Sequence, residues 1–171
     1  MFVRKRGLVV AVIAVASAAA TAGPASASMS PNPYSTSSGT GSISTISALG
    51  TSSCSFSNIT ASGTGNVDGA SLTITGFTAF GCRGVITAAR LNKQETMSIN
   101  RGTVTVNTGK LFTTILGTCL YVGTLTGTMP NGGNSAVVSG TLNLFRTLSG
   151  FCSSTKSARR TISLPGVSIS W

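Results

Sequence analysis

The sequence contains no histidine and only two acidic residues, Asp68 and Glu95, in 171 positions. Without an imidazole base, a Ser/His/Asp or Cys/His nucleophilic site is excluded. Glycoside hydrolysis needs two carboxyl groups facing one bond. Asp68 precedes Gly69 in a predicted turn and Glu95 ends a predicted polar loop, Asn92 to Glu95, so nothing brings them together. Lys93, Lys110 and Lys156 are available for a Ser/Lys dyad, but no motif accompanies them. No glycine-rich stretch sits between a strand and a helix, so nucleotide binding lacks its scaffold. The four cysteines lie far apart without a C-x-x-C pair, which argues against zinc. The expectation is a protein that is not an enzyme and holds no cofactor and no metal.

Long apolar runs are also scarce. The one that stands out, Leu8 to Ala16, follows Arg4, Lys5 and Arg6 and precedes Ala25-Ser26-Ala27. A positive segment, a short apolar core and an A-x-A site predict a signal peptide over residues 1–27, cleaved after Ala27. Arg4-Lys5-Arg6 is not a twin-arginine motif, and the general secretory route is expected. No later run is long enough to cross a bilayer as a helix. Leu164-Pro165-Gly166 lacks the apolar segment and basic tail of a wall-sorting signal.

The four cysteines, Cys54, Cys82, Cys119 and Cys152, all follow the predicted cleavage site. An even number in an oxidising compartment predicts two disulfides, with three possible pairings. The stretch from Cys119 to Cys152 reads as one long β-hairpin. Cys119, Tyr121, Gly123, Leu125, Gly127 and Met129 share one face of its first arm. Ala136, Val138, Gly140, Leu142 and Leu144 share one face of the second, and Met129 to Asn134 supplies the turn. A fainter copy runs from Cys54 through a turn at Asn66-Val67-Asp68-Gly69 to Cys82. The turn asparagine stands twelve positions after the first cysteine in both units. The repeat favours Cys54–Cys82 and Cys119–Cys152.

Elsewhere the chain is punctuated by turn residues, and no segment sustains a helical period. Residues 28–41, rich in Ser, Pro and Gly, predict a flexible leader, and 42–171 a single β domain. Ser42 to Leu49 is expected as the first strand. A β-bulge is expected between Phe56 and Ile59, where the apolar parity shifts, and another at Gly76. Val85 to Leu91 reads as a strand or a connecting turn. Met97 and Ile99, then Val104 and Val106, read as strands, with turns at Arg101-Gly102 and Asn107 to Lys110. The predicted fold class is all-β: one antiparallel β-sandwich or irregular barrel with two Cys-bounded hairpins, in about eight to ten short strands. Trp171 is expected to plug its edge.

Charge is lopsided. Removing residues 1–27 leaves nine of the twelve basic residues against two acidic, a net +7. Such a field favours anionic partners. Arg90, Lys93 and Arg101 form one candidate contact group, and Lys156, Arg159 and Arg160 a second, for an anionic wall polymer or lipid surface. No specific nucleic-acid site and no oligomeric state is indicated.

The signal peptide, Cys54-Ser-Phe56, Asp68-Gly69, Gly81-Cys82 and the second Cys-bounded hairpin together resemble small secreted β-rich proteins of high-GC Gram-positive bacteria. These are loosely similar to the PraB-type activator of alkane oxidation. The resemblance implies an extracellular, non-enzymatic β domain acting near apolar substrates or on surfaces, and brings no catalytic residues. The expected function is that of a secreted domain associated with the cell envelope or a surface. The alternative is an extracellular carrier or binder of an apolar small molecule.

Overall fold

The computed structural model describes residues 28–66 and 69–171. The predicted signal peptide and Asp68 lie outside the described residues. Eleven strands occur among the described residues: β1 (Ser28–Ser30), β2 (Tyr34–Ser47), β3 (Gly50–Asn66), β4 (Gly69–Arg83), β5 (Ile86–Leu91), β6 (Glu95–Asn100), β7 (Thr103–Thr114), β8 (Gly117–Thr128), β9 (Ser135–Gly150), β10 (Thr155–Ser163) and β11 (Ser168–Ser170). No helix occurs among the described residues, and none long and apolar enough to cross a membrane.

Eight of the strands form a closed antiparallel barrel in which nearly every strand pairs with its neighbour in sequence: β2, β3, β4, β6, β7, β8, β9 and β10. The ring shuts where β10 pairs with β2, Ser157 opposite Ile46 through Ser163 opposite Thr40. Of the two architectures expected, the barrel is the one found. Period-2 alternation drives it. Ile43, Phe56, Leu72, Ile74, Met97, Ile99, Val104, Val106, Tyr121, Leu125, Val138, Leu142 and Ile162 point inward and are buried. The opposite parity is largely Ser, Thr and Asn, as at Ser71, Ser98, Thr103, Thr124 and Ser139. A wall polar outside and apolar inside is the reverse of a lipid-facing band.

The Cys119–Cys152 hairpin has the predicted faces and turn, with Gly127 opposite Val138 and Tyr121 opposite Leu144. Both disulfides pair as the repeat suggests, Cys54–Cys82 and Cys119–Cys152. The register of β3 against β4 shifts between Ser57 and Thr60 and again beside Gly76, the two expected bulges. Arg101 (φ 44°) and Gly102 (φ 81°) make the tight β6–β7 turn, both in the left-handed region that such two-residue hairpins require.

Three expectations are corrected. Residues 28–41 are not a flexible leader. β1 pairs with β11, β2 begins at Tyr34, and Met29 and Tyr34 are buried. The Tyr34 hydroxyl donates to the Pro165 carbonyl at 2.8 Å, and Asn32 exchanges two hydrogen bonds with Gly65. With Leu164, Val167 and Ile169, this segment caps one end of the barrel. Trp171 lies against Gly102 at that capped end, its backbone held by Asn131. Second, Asn107 to Lys110 is no turn, since β7 runs straight through it and the chain reverses at Ile115-Leu116 instead. Third, Glu95 does not belong to the solvated loop; it opens β6 and is fully buried, whereas Asn92, Lys93 and Gln94 are exposed.

Besides β1 and β11 of the cap, β5 lies outside the ring. It continues the line of β6 along β7, pairing with Lys110–Thr114 while β6 takes Thr103–Asn107. β4 pairs with β6 over Ala70–Ile74 but makes no ladder with β5. A lateral cleft of about 500 Å³ opens there, between Gly76–Cys82 and Thr87–Leu91.

Candidate functional site

The parity that fills the barrel with aliphatic side chains also carries four charges into it. Glu95 shares the inward face of β6 with Met97 and Ile99. Lys110 shares that of β7 with Val106 and Phe112, and Lys156 and Arg160 that of β10 with Ala158 and Ile162. Glu95, Lys110 and Arg160 are wholly inaccessible, and Lys156 nearly so. Lys110 Nζ donates to Glu95 Oε1 and Arg160 Nη1 to Oε2, each at 2.5 Å. Thr108 Oγ1 also donates to Oε1. Aromatic faces line the cluster: Lys110 Nζ is 4.4 Å from the centroid of Phe77, and the Arg160 guanidinium 5.8 Å from that of Phe56. Lys156 stands apart, 5.2 Å over the Tyr121 ring, with one long contact of 3.4 Å to Ser47 Oγ.

Burial alone would raise the Glu95 carboxyl. The charges of Arg160 and Lys110, and the hydrogen bonds from Lys110 and Thr108, outweigh it and hold the group down to about 2. Burial, reinforced by Arg160, pushes the Lys110 ammonium down to about 7 against the opposing pull of Glu95. Burial lowers Lys156 in the same sense. A lysine depressed in the folded state binds its proton less than it does in the unfolded chain. Stability therefore rises with pH between the folded value near 7 and the ordinary value of 10.5. No histidine and no free thiol titrates in that window. Urea midpoints at pH 7, 8.5 and 9.5 and constant ionic strength should climb, and Lys110→Met should remove most of the climb. A flat wild-type profile would show that Lys110 keeps an ordinary pKa.

The two predicted contact groups do not survive as groups. Lys156 and Arg160 face the interior and cannot touch an external surface, because positions 156 and 160 share the inward parity of β10. Arg159, on the other parity, is exposed in the barrel wall. Arg90 is exposed on the lateral cleft and Lys93 is exposed on the wall beside Asn107 and Val122, whereas Arg101 sits in the β6–β7 turn at the capped end. Lys110 closes the Asn107 to Lys110 segment expected as a turn, but its shared parity with Val104, Val106 and Phe112 marks it as inward.

The end opposite the cap is a second feature that sequence reading missed. Ile46, Phe80, Ile115, Leu116, Phe145, Leu148 and Phe151 are exposed, and all seven lie toward the end that carries the two disulfides. The β7–β8 turn and the end of β9 make the tip, joined by a bond from the Phe151 N–H to the Leu116 carbonyl at 2.9 Å. Arg83 and Arg146 are exposed beside it, and Glu95, the one acid among the described residues, is buried in the barrel. No protein-family model, curated protein or solved structure matches the chain.

Proposed function

We propose that this is a secreted, non-enzymatic barrel that attaches end-on to anionic lipid surfaces through its disulfide end. The carrying observation is the concentration of exposed apolar side chains there, with Ile115 and Phe145 each 69% accessible, beside Arg83 and Arg146. Exposed apolar side chains gathered at one end beside basic groups are the combination that enters the headgroup region and draws on its negative potential. Two disulfides accord with an oxidising compartment, and attachment to a surface accords with the resemblance to secreted β-rich proteins.

Co-sedimentation with phosphatidylglycerol vesicles, against phosphatidylcholine vesicles, tests this reading. Binding should favour the anionic vesicles and weaken as salt rises from 50 to 500 mM, as the screening length shortens. Phe145→Ser with Phe151→Ser should weaken it by about tenfold or more per ring, from the apolar area withheld from lipid. Absence of binding to anionic vesicles at low salt would overturn the reading. Retention on purified cell walls that ignores the two serines would transfer it to a wall polymer.

The lateral cleft favours a second reading, a carrier of an apolar small molecule. Phe77, Ala79, Phe80, Ala88, Ala89 and Leu91 supply its apolar lining. A ligand held there would protect Phe80 from solvent without touching the β7–β8 tip.

A further inference from the structure

Arg160 uses one of its guanidinium nitrogens on Glu95 and leaves the others unused. Nη1 donates to Glu95 Oε2, while Nε and Nη2 are buried and have no partner. Those two nitrogens form the side edge of the guanidinium. Their N–H groups run parallel and match the two oxygens of a carboxylate. Leaving such donors unmet in a barrel interior is costly, more so because the group is charged.

The third unpartnered buried group is Thr45 Oγ1. Thr45 pairs with Ala158, which is also opposite Gly140 of β9. Ala158 lies on the inward face of β10 between Lys156 and Arg160. Thr45, Lys156 and Arg160 therefore face the interior on two paired strands, around the small side chain of Ala158. The charge balance points the same way. Among the described residues Arg160 and Lys156, with Lys110 only partly charged at neutral pH, are buried against the one carboxylate of Glu95. An interior with surplus cations is stabilised by an added anion, provided that the anion is also hydrogen-bonded.

We infer that the barrel interior binds a small planar oxyanion, a monocarboxylate or bicarbonate. Arg160 Nε and Nη2 hold it through a two-oxygen fork, Thr45 supplies a hydroxyl donor, and Lys156 contributes charge from the disulfide-end side. This site is enclosed by the wall and is independent of the docking tip, so either can fail without the other.

The test is calorimetric titration of the purified wild-type protein with sodium formate, acetate and bicarbonate at pH 7.5 and fixed ionic strength. Sodium chloride is the reference, and thermal unfolding is followed in parallel. Saturable binding and a rise in Tm that follows ligand concentration are expected for the three oxyanions, with chloride at least tenfold weaker. Arg160→Lys keeps the charge and removes the fork, and should abolish the preference over chloride. Thr45→Val changes no charge and should weaken binding severalfold in a barrel with an unchanged circular-dichroism spectrum. If Arg160→Lys does not fold, the wild-type titration and Thr45→Val still decide the matter. No heat and no Tm shift up to 50 mM of any oxyanion would overturn the inference and leave the three groups to buried water. Equal affinity for chloride would overturn the carboxylate fork.

Discussion

Replacing Glu95 with glutamine is expected to destabilise the protein by about 3–5 kcal/mol, the cost of removing one partner from a buried ion pair. The amide keeps the shape of the side chain but strands Lys110 and Arg160, each 2.5 Å from the carboxylate, without a counter-charge. In a domain of this size Tm should fall by about 10 °C. Lys110→Met should cost much less, because Arg160 and Glu95 remain paired and one surplus cation is gone. Glu95→Gln combined with Lys110→Met should be milder than the sum of the two, since contacting residues couple. Urea unfolding of the three variants checks this. A change below 1 kcal/mol in Glu95→Gln would show that the carboxylate does not hold the cluster. Acid has the same target. The Glu95 pKa is depressed, so its contribution is complete above the ordinary 4.5 and is lost as pH falls towards about 2.

Removing the Cys119–Cys152 bridge by double alanine substitution is the second large effect. The bridge spans 33 residues, for which loop-closure entropy gives about 3–4 kcal/mol. That is a large share of the 5–15 kcal/mol typical of a whole domain. A further loss is local. The bridge fastens the start of β8 to residues 151–154, where the Tyr121 hydroxyl reaches the Ser153 carbonyl at 2.8 Å and Phe151 stands on the docking tip. Cys54→Ala with Cys82→Ala opens a 28-residue loop and should cost nearly as much stability, yet it touches no residue of the tip. Vesicle binding separates the two variants: at a temperature where both are folded, the first should bind more weakly than the second, which disturbs only the Phe80 and Arg83 side of the surface. Equal binding by both would show that the bridge does not organise the tip.

What could be read from the residues follows from how locally each feature is encoded. The Cys119–Cys152 hairpin was legible almost residue by residue, because both arms alternate cleanly around a Pro-Asn-Gly-Gly turn. The bulges at Asn58 and beside Gly76 were legible as breaks in that alternation. Barrel and sandwich were not separable, since strands in either bury one face. Closure depends on β2 meeting β10, which leaves no local trace. Tyr34 looked like a lone ring in a polar leader, and its partner at Pro165 is distant in sequence. Charge misled most. Lys156, Arg160 and Glu95 were assigned to solvent by residue type, although each shares parity with apolar neighbours on its own strand. The apolar tip escaped for another reason: Phe145 shares the outward parity of Val137, Ser139 and Thr141, and nothing local shows that apolar side chains from separate strands gather at one end.

The β10–β2 closure also orders events in time. Apart from β4–β6, which passes over β5, every other ladder of the ring joins strands that follow one another along the chain, so hairpins can zip in succession as the chain appears, N-terminus first. The last ladder needs Ser157 against Ile46, and the cap needs Ser170 against Ser28. Until the final residues arrive, β2 has one edge bare, and β9 waits for the strand that covers it. Pairing across such a separation is slow, and open strand edges invite association between chains. The two cysteine loops are short and can close earlier, before the ring does. A chain truncated before β10 would be left as an open, sticky sheet, and β10 acts as the latch that shuts the ring.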